Sequence, residues 1–574
     1  MSTLLSLVPK PSSLTSPTAI VLPASPVTAV YGQRDPKEQR HEQEEFSYAD
    51  LRAMVLSFRK ILIEGLGVKK DDVVALSMAN TLEFMVAFIG TTVSRAVSAP
   101  LNPAYTIDEF RFYLQDTKPT LLLIPPLKSG TTVNTAAKTA LEAAKKENIA
   151  VYEVHIDDGM IKINNVFGSR SVEKRTVAEV GDPVPEDIAL VLHTSGTTGR
   201  PKSVPLAHRN LMRTTENIIQ TYKLNSSDRT YLVMPLFHVH GMLCAFLSPL
   251  ACGSSITLPR AGKFSANVFW HDFITTECSW YTAVPTIHSI LLSAVKNGDG
   301  PFSPGYKGAM PKIRFIRSCS SSLAPSTLHA LEKTFKAPVL EAYAMTEAAH
   351  QMTSNVAGKR HPGTVGIPVG TEISIRSIDD GNPVSAGSTG EVCIRGENVF
   401  SGYWANEKAN AESFWPATKE EEALAPAEFK GRRWFRTGDQ GLIVKSGAGK
   451  GNLKLTGRIK ELINRGGEKI SPLEVDSALL SLKEVKEAVC FGVEDPKYGE
   501  VVWAGVVLEA GQEGDKHTEE KLKKALESKL AKFKIPQRIM FAKSIPKTAT
   551  GKIQRRFVRD AFVKQARQET GAKL

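Results

Sequence analysis

The sequence predicts an α/β protein: a large N-terminal domain of layered α/β sheets with a β subdomain, followed by a small α+β C-terminal domain. Three observations carry that prediction. The chain has 574 residues, more than one hydrophobic core sustains. Apolar runs of strand length alternate with helical periodicity through most of the N-terminal part, the pattern of a largely parallel sheet covered by helices. Between residues 365 and 455 the texture changes to short alternating runs with many Gly, which reads as a β subdomain.

Met1 to about Ser25 is rich in Pro, Ser and Thr, without the basic start and apolar core of a secretory signal. Residues 1–20 are expected to be flexible. Residues 46–66 place Leu51, Val55, Phe58 and Leu62 on one helical face, and Gly65 and Gly67 stop the helix. Val73-Val74-Ala75-Leu76-Ser77-Met78 and Leu121-Leu122-Leu123-Ile124 read as buried strands, with helices over 84–88, 107–115 and 133–146. Further strands end in polar residues: 231–237 runs into His238, 280–285 into a turn, 313–318 into Ser318 and Ser320, and 339–343 into Thr346. Ligands of open parallel sheets gather beyond the carboxyl ends of strands, so His238, Ser318, Ser320 and Thr346 are expected to converge. Residues 415–431 read as a surface loop. A domain boundary falls at Lys460, separating 21–459 from 460–560. Helices near 472–481 and 518–531 and strands near 486–493 and 500–508 follow. Residues 561–574 are expected to form a tail.

Thr194-Ser195-Gly196-Thr197-Thr198-Gly199-Arg200-Pro201-Lys202 is the most informative stretch. It follows the apolar run 188–192 and precedes a helical pattern beginning at His208, so the expected arrangement is strand, loop, helix. Two glycines let the backbone N–H groups converge, and the hydroxyls and Lys202 add donors and charge: the chemistry of a polyphosphate cradle. It is not a Walker A loop, because Pro201 stands where a second glycine is needed.

The composition is that of an ordinary globular protein, 42% hydrophobic and 23% charged. No apolar run has the length to cross a bilayer. Six scattered cysteines without a C-x-x-C pair read as reduced thiols rather than a disulfide or zinc framework. The net charge is +12, and residues 529–574 hold 13 Lys/Arg against 2 Asp/Glu. A face meeting polyphosphate ligands suits that excess. DNA binding is not expected, and RNA binding ranks low, since no nucleic-acid motif accompanies the charge. The chain finishes Ala572-Lys573-Leu574, a variant of the Ser-Lys-Leu peroxisomal address. The expected location is the peroxisome, reached through an import receptor, with a cytoplasmic pool.

Five ordered stretches resemble the acyl-adenylate-forming ligases, which include acyl-CoA synthetases, luciferases and peptide-synthetase adenylation domains. The loop 194–202 is similar to their phosphate loop. Tyr343-Ala344-Met345-Thr346-Glu347 is similar to Tyr-Gly-x-Thr-Glu, Arg436-Thr437-Gly438-Asp439 to the Thr-Gly-Asp motif, Gly457-Arg458-Ile459-Lys460 to the hinge motif, and Pro546-Lys547-Thr548-Ala549-Thr550-Gly551-Lys552 to the catalytic-lysine motif. Five motifs in order over roughly residues 20–560 are far more specific than any one of them.

The resemblance implies ATP, Mg²⁺ and coenzyme A, with a small carboxylic acid as substrate. It implies catalytic roles for Lys552, Thr346, Glu347 and His238, with Glu347 the metal ligand. Thr194, Ser195, Gly196, Thr197, Thr198, Gly199 and Lys202 would hold the β- and γ-phosphates. Ser320, Ser321, Glu341, Ala342 and Tyr343 would flank adenine. Thr346 would reach the α-phosphate, Asp439 and Arg458 the ribose. The C-terminal domain would be mobile, rotating about Lys460 so that Gly466 and Gly467 line the pantetheine tunnel in the second half-reaction. His238, His240, Ser318, Ser320, Ala344 and His350 would form the acyl pocket. Ala344 replaces the family's Gly and shortens that pocket; the histidines and serines make it polar, which favours a short, dicarboxylic acid. Residues 234–241 and 343–352 are most similar to the peroxisomal-type oxalate–CoA ligases of fungi and plants. Medium-chain fatty acids or aromatic acids are the alternative substrates, luciferase-type oxygenation a third outcome, and an RNA-binding module using the basic C-terminal region the alternative from a different class.

Overall fold

The computed structural model describes residues 3–7, 17–24, 42–129, 132–169, 175–194, 201–548 and 552–570. The large domain is built on two extended sheets. The first has nine strands, in the order Ile367–Pro368, His350–Ser354, Val339–Met345, Phe315–Ser318, Trp280–Ala283, Arg229–Tyr231, Ser255–Thr257, Thr18–Leu22 and Glu44–Ser47. Its six central strands run parallel. The second has seven strands, from Lys202–Ala207 through Ile188–Thr194, Val97–Pro100, Val73–Leu76, Leu121–Ile124 and Ala150–Asp157 to Met160–Phe167. The apolar strands Val73–Leu76 and Leu121–Ile124 are buried along their whole length, as strands covered on both faces must be.

Between these sheets lie helices apolar nearly all round. Leu82–Val93 is buried at eleven of its twelve positions, and the π-helical stretch His240–Leu247 is buried throughout. Helix His208–Tyr222 packs against the latter. The β subdomain is a five-stranded sheet of Glu372–Arg376, Gly390–Arg395, Trp434–Ile443, Phe414–Trp415 and Leu453–Arg458. The C-terminal sheet joins Ile463–Arg465, Glu468–Ile470, Val485–Asp495, Gly499–Leu508 and Arg538–Phe541. Helices Pro472–Leu480 and Lys516–Leu526 cover one of its faces through Val475, Leu479, Leu522 and Leu526. All six cysteines are free thiols.

Four sequence expectations change. The loop after Ile188–Thr194 does not lead directly into a helix. Strand Lys202–Ala207 returns antiparallel along it, pairing Thr194 with Lys202, before the helix starts at His208. The described residues on either side of the glycine-rich stretch are thus paired strands, and the helix begins only after the second of them. Short apolar pairs such as Val204 and Leu206 were too brief to read as a strand. Residues 561–574 are not simply a tail: helix Arg555–Thr570 runs on, burying Val558, Phe562 and Ala566 against Phe491 and Trp503. Within 415–431, Lys419–Leu424 forms a helix capped by Thr418, and its Glu421 pairs with the buried Arg376. Within 1–20, Leu4 and Leu7 are buried in the main core, and the Leu4 N–H donates to His208 Nδ1 at 3.1 Å.

Candidate active site

The parallel strands of the nine-stranded sheet end beside a buried group of imidazoles. The segment after Arg229–Tyr231 carries His238 and His240. The His240 backbone N–H donates to His238 Nδ1 at 3.2 Å. His240 Nε2 lies 2.6 Å from Thr282 Oγ1, and its Nδ1 lies 3.1 Å from Ser320 Oγ. The His240 ring stacks on His350 at 5.0 Å between centroids, inclined by 25°. His350 is fully buried, yet neither ring nitrogen has a hydrogen-bond partner among the described residues. The Ser318 hydroxyl is likewise buried without a partner. A buried polar atom left unpaired costs free energy, so these donors and acceptors are positioned for something that enters the site.

Backbone strain supports that view. His350 sits at φ +103° and Ser320 at φ +72°, conformations that cost non-glycine residues of order 1–3 kcal/mol and gather at functional sites. Burial holds the pKa of His238, His240 and His350 well below the ordinary histidine range. All three are therefore neutral at pH 7 and act as hydrogen-bonding rings rather than as cations.

A second group faces the β subdomain. Asp439 and Arg458 stand directly opposite on adjacent antiparallel strands, Arg458 Nε 3.3 Å from Asp439 Oδ1. The other carboxylate oxygen accepts the Tyr343 phenol. Burial raises the Asp439 carboxyl against the opposing pull of Arg458, and raises the Tyr343 phenol well above its usual range, so Tyr343 remains the donor. Glu347, in the turn Thr346–Ala348, accepts the Tyr403 hydroxyl at 2.9 Å. Lys202 reaches the same tyrosine, its ammonium 4.5 Å from the ring centroid. Burial raises the Glu347 carboxyl.

Lys552 enters this group from the C-terminal domain. Its backbone N–H donates to Thr548 Oγ1 at 3.1 Å, and its carbonyl accepts from the Thr548 N–H at 2.8 Å. Those bonds tie Lys552 to Thr548. Burial lowers the Lys552 pKa, while Glu347 and Asp439 pull it upward and Arg458 opposes them. The ammonium thus shares one electrostatic environment with both carboxylates.

Other expected residues are placed as follows. Thr346 and Ala344 are half-buried; Ala342 and Glu341 are buried, and burial pushes the Glu341 carboxyl up to about 8. Ser321 is exposed. Gly466 and Gly467 are not brought to the site. They form the exposed turn of the hairpin Ile463–Arg465/Glu468–Ile470, where a Cβ at 467 would meet nothing within 4 Å. Lys460 is exposed in the turn Ile459–Glu461. Ser195, Gly196, Thr197, Thr198 and Gly199 lie outside the described residues, as does the tripeptide 572–574.

A family model described as AMP-binding enzyme matches residues 26–404, and one described as AMP-binding enzyme C-terminal domain matches 474–552. The chain belongs to the AMP-binding enzyme family. Two relatives of this AMP-binding enzyme are named oxalate–CoA ligases. The one from Saccharomyces cerevisiae is 45% identical over 91% of the chain and 94% of its own length. The one from Arabidopsis thaliana is 45% identical over 90% and 94%. A probable CoA ligase of Humulus lupulus is 46% identical over 90% and 92%. Among solved structures, ATP-bound MatB from Rhodopseudomonas palustris shares the fold with a TM-score of 0.77, 24% identity and 98% coverage of both chains. The apo form of the same protein, at 25% identity and the same coverage, superposes with a TM-score of 0.69.

Two residues of this AMP-binding enzyme's site, Tyr403 and Arg317, belong to no motif in the sequence. Tyr403 looked like an unremarked aromatic after a Gly. Arg317 looked like one position of the strand Phe315-Ile316-Arg317-Ser318. A charged residue inside an otherwise apolar strand was the available signal.

Proposed function

We propose that this protein is an ATP-dependent acid–CoA ligase acting on a small dicarboxylic acid, with oxalate the leading substrate. The buried, neutral His350 ring stacked on His240, with both its nitrogens and the nearby Ser318 hydroxyl unpaired among the described residues, is the observation that supports the choice of acid. An aliphatic chain would leave those groups desolvated and unsatisfied, whereas a short polar acid would satisfy them.

In the first half-reaction a carboxylate oxygen attacks the α-phosphorus of ATP. An O–P bond forms, the bond to the β-phosphate bridge breaks, and pyrophosphate leaves. Negative charge develops over the phosphoryl oxygens, so a positioned cation and hydroxyl donor assist it. Lys552 supplies the cation and Thr346 the hydroxyl. The segment 194–202 grips the departing phosphates, with Lys202 contributing a cation. Asp439 and Arg458 hold the ribose, and the phenol of Tyr343 fixes the Asp439 carboxylate. Glu347 fits Mg²⁺: it is a buried carboxylate that accepts from the neutral Tyr403 phenol, and it would hold a hard cation whose charge offsets its own and that of the phosphates. In the second half-reaction the thiol of coenzyme A attacks the acyl carbon and AMP leaves. Gly466 and Gly467, exposed in this arrangement, would reach the site after rotation about Lys460.

The substrate reading is tested by pyrophosphate release across oxalate, malonate, octanoate and coumarate. Oxalate is expected to be fastest at equal concentration; good turnover of octanoate with none of oxalate would overturn it. Peroxisomal residence through Ala572-Lys573-Leu574 belongs to the same proposal. A fluorescent fusion retaining the tripeptide should be punctate, and removing those three residues should make it diffuse. Among the described residues, no helix is long and apolar enough to cross a membrane. Lys534, Lys547 and Arg555 of the basic C-terminal region are paired with Glu474, Glu487 and Asp476, which leaves fewer free cations for a nucleic-acid partner.

A further inference from the structure

Behind the imidazole pair lies a guanidinium with no counter-ion among the described residues. Arg317 is fully buried. Its Nε donates to the Tyr222 hydroxyl at 2.7 Å and its Nη2 to Gln351 Oε1 at 3.0 Å. Its Nη1 lies 3.2 Å from Thr282 Oγ1 and 3.3 Å from His240 Nε2. Every one of these partners is neutral, and no ion pair to Arg317 is formed among the described residues. Taking a charge out of water costs several kcal/mol even after relaxation. A purely structural tie between helix His208–Tyr222 and strand His350–Ser354 would be made at lower cost by a neutral amide.

The hydrogen-bond directions around His240 follow from Arg317. A guanidinium has donors and no acceptor. His240 Nε2 must therefore present its lone pair to Arg317, and the Thr282 hydroxyl donates to the same nitrogen. The ring is neutral, so its proton sits on Nδ1. Nδ1–H donates to Ser320 Oγ, which is held at φ +72°. The Ser320 hydroxyl accepts there, and its own proton is left free to donate into the acyl pocket.

We propose that Arg317 is the positioning and charge-balancing residue that fits this site to a dianionic acid. It does not touch the substrate. Its buried positive charge offsets the carboxylate that is not being adenylated, and through His240 it turns the Ser320 hydroxyl toward that carboxylate. The inference rests on the diacid reading above.

The test uses the full-length enzyme with Arg317→Gln, Arg317→Lys and Ser320→Ala. KM and kcat for oxalate and KM for ATP are read from pyrophosphate release. Arg317→Gln is expected to raise the oxalate KM at least tenfold while the ATP KM stays within about twofold, and Arg317→Lys, which restores the charge, is expected to recover part of the loss. Ser320→Ala is expected to raise the oxalate KM severalfold, and it keeps the test decisive if Arg317→Gln does not fold. An unchanged oxalate KM in Arg317→Gln or in Ser320→Ala overturns the inference. So does an equal loss toward oxalate and ATP in both arginine variants, which marks a structural tie. If the wild type is inactive on oxalate, the oxalate reading fails separately, and the same variants are read on whichever diacid it turns over. A wild type that accepts only monocarboxylic acids overturns both.

Discussion

Lys552 and Tyr403 mark the two ways in which a single side chain serves this site. Lys552 brings a charge that acts on the phosphoryl group as the O–P bond forms. Lys552→Ala should therefore lower adenylation by about 10²–10³-fold, the range for removal of one transition-state donor. Thioester formation from preformed acyl-AMP should change by less than about threefold, since the α-phosphoryl transfer is already complete. Single-turnover measurement of each half-reaction checks the split; equal losses in both would contradict it. Tyr403 acts on Glu347 instead. Its hydroxyl donates to that buried carboxylate, and its ring carries the Lys202 ammonium. Tyr403→Phe keeps the ring and removes the donor. The expected result is a severalfold rise in the Mg²⁺ concentration for half-maximal rate with the acid KM unchanged, since the carboxylate loses its fixed orientation.

At the scale of elements, the segment that carries the histidines is held by a tight backbone crossing. A Cβ at Gly241 would sit 2.3 Å from the Pro235 carbonyl oxygen and 2.5 Å from that of Met234. Neither oxygen belongs to a flexible side chain, so the start of the π-helical stretch His240–Leu247 has to move. Gly241→Ala should cost about 1–3 kcal/mol, the usual range for overpacking, visible as a lower Tm. It should also reduce the oxalate rate beyond what the stability loss explains, because His238 and His240 flank the crossing. The paired strands whose ends are Thr194 and Lys202 are a second element of the site. Lys202→Ala should slow adenylation and leave the second half-reaction largely intact, as measured with preformed acyl-AMP. Elements with strong periodicity were legible in the sequence: the buried strands near 73 and 121, helix Thr135–Lys146 and the C-terminal strand pair stand where expected. The returning strand Lys202–Ala207 was not, because its pairing with Ile188–Thr194 is a tertiary choice and Pro205 weakens the pattern. Helix Arg555–Thr570 was hidden by its charge; its apolar face rests on widely spaced residues such as Val558, Phe562 and Ala566.

On the scale of the whole molecule, two-domain organisation was readable because each motif is local, whereas Arg317's role was not, since its partners Tyr222, Thr282 and Gln351 come from three distant stretches. The same burial that builds the site makes overall stability depend on pH. Besides the site imidazoles, His208 is held down to about 4 and His288 to about 3, both chiefly by burial. In the unfolded chain each returns to about 6.5. Below that value the unfolded state binds protons that the folded state refuses, so stability is fully present above about pH 6.5 and falls as the pH drops toward the folded values. Each such histidine contributes up to about 1.4 kcal/mol of loss per pH unit across that window. Carboxyls whose pKa burial raises, Glu341 to about 8 and Asp272 to about 6, work the other way: they favour the folded state at low pH and penalise it as pH rises through their unfolded values. The net slope between pH 6.5 and 5 is therefore the contest between buried imidazoles and buried carboxyls. Removing one imidazole isolates its share. His288→Gln should lower the Tm at pH 7.5 and yet shrink the further drop between pH 6.5 and 5, relative to wild type. Differential scanning calorimetry at both ends of that window measures the difference. A pH slope identical to wild type would show that His288 titrates alike in the folded and unfolded chains, and that burial does not govern its proton.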